Sequence, residues 1–459
     1  MFRSASQLRA DAEQIWRAGV SAVLPARLFQ SHIHINGGLL TVDDEIFDLR
    51  GVHRIAIVGA GKAAAAMAVA MEHTLGSDLL AAKNVVGWVN VPADCSLHTQ
   101  RVVLHAGRPP GVNEPRPQGV EGTRRILDIV SSLGPNDLCF CLLSGGGSAL
   151  LPAPIPEISL DDKIRLTRLL SAAGANIEQL NTVRSQLSLV KAGGLARACR
   201  AGRLITLVIS DVLGDPLHAI ASGPTVIGRS KTACDALAVL DELRLIDDPT
   251  LAEIVSYLRR PVSEPLNESS PCPQVSHFIL GNNAAAVDAA GIEAERLGYS
   301  HAMISATRPE GSAESVGQHL AEVTNRMRTE SGPDCLISGG EPTVALVPES
   351  RRGKGGRNQQ LALAALSSLE SCEGIAILAA GSDGEDGPTD AAGAFATEEV
   401  LRSAQAQKLN PRTYLDGNDA YNFFAQTGGL FITGPTQTNV CDLRVVVVES
   451  KDSKRSSPR

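Results

Sequence analysis

No apolar run in this sequence approaches the roughly 18 residues that a membrane-spanning helix needs, so no membrane partner is expected. Basic residues are not in surplus: 42 lysines and arginines face 50 aspartates and glutamates, a formal charge of −8. That balance argues against a general nucleic-acid binder, which would carry the opposite bias. The nine cysteines form no C-x-x-C pair, which speaks against a disulfide framework or a zinc site and for reduced, cytosolic thiols. A P-loop is missing as well, since G-x-x-x-x-G-K-[ST] occurs nowhere. The N-terminus shows no signal-peptide h-region, and Asp11 and Glu13 weaken a transit-peptide reading. What remains is a chain of 459 residues, 43% hydrophobic and 20% charged. It reads as a globular protein with core enough for two or three domains.

Residues 1–30 pattern as an amphipathic helix with Ile15, Val20, Val23 and Leu24 on its apolar side. Arg54–Val58 reads as a strand that runs into Gly59-Ala60-Gly61-Lys62 and then an alanine-rich helix, the opening of a βα crossover. Val85–Val89 reads as another strand, followed by a Pro- and Gly-rich loop over Gly107–Gly119 and a helix near Val120–Ser132. The run Cys139–Leu151 organises the first half: a wholly apolar strand reaches Ser144, and Gly145, Gly146 and Gly147 follow before Ser148 opens a helix. Three glycines let backbone approach a ligand and leave N–H groups for an anion. A tight turn with no ligand is the competing reading of the triplet taken alone. Ser159 is placed as the N-cap of a helix through Leu170. Asn181–Arg200 is expected as one helix with Arg184, Ser188 and Lys191 on a single face, most simply a solvated one.

The strand Leu204–Ser210 ends on Asp211. Arg259–Pro273 is Pro- and Ser-rich, the composition of an interdomain linker and a natural hinge. Beyond it, strands and helices alternate again. Strands end at Gly281-Asn282-Asn283, at Ser338-Gly339-Gly340-Glu341 and at Gly381–Gly387, and the last strand is Leu443–Val448. This alternation predicts α/β layers in both halves. The tail 451–459 is polar and expected to be disordered.

Glycine and polar residues thus gather at the carboxyl ends of strands: Gly59–Lys62, Ser144–Ser148, Asp211, Ser338–Glu341 and Ser382–Asp386. In open α/β sheets ligands bind outside that edge, so a site between the two halves is expected. Lys62 stands in a first helical turn against the dipole, which an adjacent anion would explain. Arg357, in a glycine-rich loop, offers a forked guanidinium. Asp211, Glu341 and Asp383 could hold Mg²⁺ with help from nucleotide phosphates, accept a hydroxyl proton, or cap the next helix. Cations to spread phosphoryl charge, a metal and a base are what phosphoryl transfer requires. Ser148 has no visible base in the sequence and reads as a cap or phosphate ligand.

These blocks carry a resemblance. Leu142–Leu151, Asn181-Thr182-Val183-Arg184 through Lys191–Ala196, Ile209–Val212 with Ala221–Val226, and Ser338–Thr343 resemble the glycerate 2-kinase family of the MOFRL-domain type. So do Gly356–Gln360, Gly381–Asp390 and Thr433–Asn439. The resemblance implies ATP- and Mg²⁺-dependent phosphorylation of D-glycerate at its 2-hydroxyl. It also implies an N-terminal Rossmann-like αβα domain (1–262) and a smaller C-terminal α/β MOFRL domain (263–450), with the active site in the cleft between them. Lys62, Asp211 and Arg357 would be catalytic, Asp211 as base or metal-linked acid. Ser144, Gly145, Gly146, Gly147, Ser148, Arg184, Lys191, Glu341, Asp383 and Asn439 would bind substrate and phosphate, and Asp211, Glu341 and Asp383 any metal. Two positions depart from the family pattern: Arg108 opens a loop that usually begins with histidine, and Gln437 replaces a usual glycine. The alternatives are an NAD(P)H-dependent hydroxypyruvate reductase, for which Gly59–Ala64 is an incomplete fingerprint, and a non-catalytic sugar-acid sensor. The expected compartment is the cytoplasm. Oligomeric state stays open, a homodimer among the options.

Overall fold

The computed structural model describes residues 3–112, 114–228, 231–260 and 272–449. The chain divides into two compact units, Leu28–Leu280 and a second formed by Met1–Arg27 with Gly281–Arg459. Most of the expected linker, residues 261–271, and the expected tail, 451–459, lie outside the described residues.

The first unit begins with a small antiparallel meander, β1 (Ile33–Asn36), β2 (Leu39–Val42) and β3 (Glu45–Asp48). Its main sheet has six strands: β4 (Ile55–Ala60), β5 (Val86–Pro92), β6 (Val102–Arg108), β7 (Leu138–Leu143), β8 (Arg203–Ile209) and β9 (Gln274–Gly281). Their order is β6-β5-β4-β7-β8-β9, and β6 through β8 pair in parallel. Every residue of β4 and β7 is buried, as a strand covered on both faces requires. Chain order runs outward from β4 to one edge and outward from β7 to the other. The direction of winding therefore reverses between these two neighbours, and the crevice beyond their carboxyl ends is the place such a sheet offers a ligand.

Two sequence expectations need correction in this unit. The helix opened at Ser148 is a single turn, Gly147–Leu150, and offers little dipole. The long helix expected over Asn181–Arg200 is broken. It runs Ile177–Gln186, then resumes as Gly194–Ala198. The break comes from left-handed backbone at Ala192 and Gly193 (φ 48° and 80°) and from Gly194, where a Cβ would stand 2.3 Å from the Leu189 carbonyl oxygen.

The second unit contains β10 (His301–Ile304), β11 (Cys335–Gly340), β12 (Ile375–Gly381), β13 (Gly393–Thr397), β14 (Leu430–Phe431) and β15 (Asp442–Val448) in the order β10-β11-β15-β12-β13-β14. Only β10 and β11 are parallel; β15, inserted between β11 and β12, and the remaining pairs are antiparallel. Alternation of strand and helix in the sequence does not carry strand direction, so this mixed sheet was not foreseen.

The leading helix, Ala5–Ala22, belongs to this unit rather than to an N-terminal domain of residues 1–262. Leu8, Ala12, Ile15, Trp16 and Val20 recur at helical spacing and share one core with Val287, Ala290, Leu443 and Val445. Gly19 permits the approach: a Cβ there would stand 2.7 Å from the Ala286 carbonyl oxygen. No helix among the described residues is long and apolar enough to cross a membrane.

Candidate active site

In the first unit the turns after β4 and β7 lock together. Lys62 N donates to the Gly145 carbonyl (2.8 Å), Ser144 N to the Ala60 carbonyl (3.2 Å) and Ala63 N to Ser144 Oγ (3.0 Å). Glycine is needed at Gly61, where a Cβ would lie 2.1 Å from Ser144 Oγ, and at Gly147, where it would lie 3.0 Å from Ala221 Cβ. Gly147 N is used within the turn, on the Ser144 carbonyl at 3.1 Å. One amide of the expected cradle is therefore spent in holding the turn, and cationic side chains stand around the rest of it. Ser144 acts as the pin of the turn. Lys62 is half-buried above it, and a Cβ on left-handed Gly146 would meet Lys62 Cγ at 3.7 Å and Arg108 Nη2 at 3.2 Å. Arg108, noticed in the sequence only as a departure from pattern, is thus a buried second cation of this turn, its Nη1 donating to the Val112 carbonyl.

A second cationic group surrounds Ser148. Arg184 Nη2 (3.0 Å) and Lys191 Nζ (2.5 Å) both donate to its Oγ. Lys191 also donates to Ser222 Oγ (2.9 Å), which in turn donates to Asn181 Oδ1 (3.0 Å). The stripe read as solvated is turned inward: Lys191 is buried and Arg184 half-buried. Burial, reinforced by Arg184 and Lys163, pushes the Lys191 ammonium well below the ordinary lysine range. Lys163, which the sequence reading missed, is buried beside them, donates to the Leu187 carbonyl at 2.9 Å and is pushed down to about 7, chiefly by burial. Its place in an amphipathic helix gave no signal; Ser222 and Asn181 lay inside noted motifs. Asp211 is half-buried directly after β8, the strand beside β7.

In the second unit Arg357 opens the helix Arg357–Ser368. Its Nε and Nη2 fork onto Asp442 Oδ2 and Oδ1 at 2.8 and 2.9 Å, and Nη1 reaches Glu341 Oε1 at 3.0 Å. The fork expected to face phosphate is therefore committed to a carboxylate. Burial opposes the Arg357 charge, but Asp442 and Glu341 outweigh it and raise the guanidinium's proton affinity. Glu341 is itself raised, by burial first and then by the negative charges of Asp442 and Asp383. Asp386, read in the sequence only as the end of the Ser382–Asp386 turn, is buried and caps the helix through Asn358 N (3.0 Å) and Gln359 N (2.8 Å); burial pushes it up to about 7. Asp383 accepts from Glu385 N at 3.0 Å, and its carbonyl accepts from Thr436 N at 3.1 Å. That second bond ties its loop to the one bearing Asn439, which is nearly enclosed. Gln437 in the same loop has φ 66°, which explains why glycine suits the position.

Among the described residues no three His, Cys, Asp or Glu side chains are grouped to hold a metal ion by themselves. Mg²⁺ characteristically uses one or two carboxylates plus phosphate oxygens, a donor set that Glu341 and Asp383 would fit, the charge of Asp383 being felt at Glu341. All nine cysteines are free, and Cys139 and Cys141 are buried in the core.

A parallel sheet whose winding reverses between β4 and β7 places the chain among the open-sheet α/β proteins, which take their ligands beyond the carboxyl ends of the strands. Comparison narrows the class. Two family models match, the domain of unknown function DUF4147 over residues 11–259 and the MOFRL family over 334–442. The chain is 35% identical to a glycerate kinase of Rattus norvegicus, over 97% of this chain and 94% of the relative. It is 34% identical to a glycerate 2-kinase of Pyrococcus horikoshii, over 94% and 95% respectively. The crystal structure of a glycerate kinase from Thermotoga maritima superposes with a TM-score of 0.77 at 33% identity, covering 97% of this chain and all of that one. The chain belongs to the glycerate kinase family.

Proposed function

We propose that this protein transfers the γ-phosphoryl group of ATP to the 2-hydroxyl of D-glycerate, giving 2-phosphoglycerate, and does so in the cytosol. The observation that carries the reading is the pair of cation groups set on the Gly145–Ser148 turn, Lys62 with Arg108 on one side and Arg184 with Lys191 on the other. Together they suit a substrate that, once phosphorylated at its 2-hydroxyl, carries two anionic groups on neighbouring carbons, a carboxylate and a phosphate. Full-length kinship to glycerate kinases supports the same choice of substrate. In this reading the first unit is the Rossmann-like domain.

Roles follow from chemistry. Lys62, half-buried on the turn, neutralises charge on the transferred group. Asp211 takes the proton of the attacking hydroxyl. The turn Gly145–Ser148, with Ser144 pinning it, positions the acceptor, and Arg184 and Lys191 hold its anionic part. In the second unit Arg357 keeps Asp442 and exchanges Glu341 for a phosphate oxygen on Nη1, the partly exposed edge of the fork. Glu341 and Asp383 would hold Mg²⁺, with Asn439 beside the phosphates; the ion's contribution is to neutralise phosphate charge.

Purified protein with D-glycerate and MgATP should release ADP, and its product should feed enolase without a mutase. Omitting Mg²⁺ should stop the reaction. ADP release with a product that enolase cannot use would refute the 2-hydroxyl assignment. Oxidation of NADH or NADPH by hydroxypyruvate in place of ADP release would replace the kinase by the reductase, and glycerate binding without turnover would replace it by a sensor.

A further inference from the structure

Lys163, Arg184 and Lys191 form a group of three basic side chains in which every partner is a neutral oxygen. Lys163 donates to the Leu187 carbonyl, Arg184 to Ser148 Oγ, and Lys191 to Ser148 Oγ and Ser222 Oγ. Among the described residues no carboxylate stands within ion-pair distance of any of the three. Like charges gathered in a poorly hydrated place repel, and burial disfavours each of them. Such a group is stabilised when an anion joins it. Two strained loops nonetheless hold it together. Ala192, Ala221 and Ser222 have left-handed backbone (φ 48°, 50° and 63°). Ala192 N donates to the Ser222 carbonyl at 3.0 Å, and Gly193 N to the Gly223 carbonyl at 2.7 Å. Strain that fixes a lysine and a serine side by side is what a binding site retains and a mere core would lose.

We propose that Arg184 and Lys191, with the hydroxyls of Ser148 and Ser222, are the seat of the substrate's carboxylate, and that Lys163 is a positioning residue that holds Arg184 on it. The assignment rests on the glycerate kinase reading and chooses which end of the substrate lies here. Three features favour a carboxylate over the nucleotide's phosphates. Lys163 and Lys191 are enclosed while Ser148 and Arg184 are half-buried, so a ligand reaches the group past Ser148 and Arg184. A magnesium nucleotide would bring a divalent cation against three basic side chains with no acid to anchor it. Ser148 Oγ already accepts from both Arg184 and Lys191, so one carboxylate oxygen can replace it as their common acceptor, while the second takes the Ser222 hydroxyl proton in place of Asn181 Oδ1. Lys163 binds the carbonyl of Leu187, the residue ending the helix that carries Arg184. A plain C-terminal cap would do the same, so the test must separate capping from positioning.

The test compares D-glycerate with glyceramide, its neutral amide, as acceptors for the whole protein with MgATP. The wild type should favour glycerate by about 10⁴-fold in kcat/KM, the discrimination a site built for one polar group achieves. Lys191→Met should cut that ratio by about 10²-fold or more. Lys163→Met should raise the KM for glycerate by about tenfold with kcat and the KM for ATP nearly unchanged, and Lys163→Arg should restore it. A capping lysine would instead lower activity on both acceptors alike, so an unchanged ratio in Lys163→Met and Lys191→Met overturns the proposal. So does a rise in the KM for ATP without one for glycerate. Ser222→Ala, a smaller change, serves if either lysine variant fails to fold, and must also lower the ratio. Wild-type binding of glycerate over glyceramide, measured by calorimetry without nucleotide, keeps the two readings apart. Selective binding with no ADP release refutes the kinase and retains the seat, whereas ADP release with an unchanged ratio in the variants refutes the seat and retains the kinase.

Discussion

Replacing Arg357 by methionine tests the charged centre of the second unit. The substitution keeps a long apolar stem but leaves Asp442, whose side chain has no exposure, without its two-pronged partner. Breaking a buried ion pair by removing one member costs about 3–5 kcal/mol, whereas exposed pairs contribute about 0.2–1 kcal/mol. Arg357 keeps 35% of its side chain exposed, so water can reach part of the vacated place. The expected loss therefore falls to about 2–3 kcal/mol. Trp16 lies in this unit, 5.0 Å from Phe431 and edge-on to it, while Trp88 is in β5 of the other. In a Trp88→Phe background, Trp16 fluorescence during urea unfolding reads the second unit alone. Arg357→Met should lower the midpoint by an amount equivalent to that loss, and adding Asp442→Asn should recover at least half of it, because the pair matters through the charge left behind. Equal midpoints for wild type and Arg357→Met, or a double variant no better than the single one, would refute the claim that Asp442 depends on this guanidinium.

Asp211→Asn should lower kcat by about 10²–10⁴-fold with little change in the KM for glycerate, checked in the ADP-release assay, if it accepts the hydroxyl proton. Lys62→Ala should cost about 10²–10³-fold in turnover while circular dichroism stays unchanged. Gly19→Leu forces a side chain where a Cβ already meets the Ala286 carbonyl at 2.7 Å, and should destabilise the second unit by about 1–3 kcal/mol, read again from Trp16. Lys163, with its folded-state value lowered to about 7, predicts a pH dependence of the first unit, read from Trp88. Below about pH 7 both folded and unfolded chains hold the proton and the penalty is complete. Between there and the ordinary lysine range only the unfolded chain holds it, so stability should climb with pH at up to about 1.4 kcal/mol per unit. Lys163→Met should remove one proton's share of that climb and leave the share of Lys191, which burial also lowers.

Much of the site could be read from residues in order. Gly59–Lys62 and Gly145–Ser148 announce strand-to-helix turns because glycine after an apolar run has few other uses, and the structure sets both turns side by side on adjacent strands. Gln437 could be noticed as out of place, though only its left-handed φ says why. Other residues were illegible. Lys163 sits in a helix whose pattern is ordinary, and its meaning comes from the Leu187 carbonyl and Arg184, which fold against it from further along the chain. Asp442 lies just outside the strand read as Leu443–Val448, and only the fold makes it the first residue of β15 and turns Arg357 onto it.

The sequence by itself determined that several buried strands run into glycine turns and which residue types gather there, because these follow from local sterics and from hydrophobic periodicity along a few residues. Tertiary structure alone decided that the leading helix covers a sheet formed after Gly281, that β15 inserts antiparallel between β11 and β12, and that a stripe taken for solvated surface turns inward onto Ser148. Those outcomes depend on which distant segments meet, and neither strand direction nor the burial of a charge is written in the spacing of neighbouring residues.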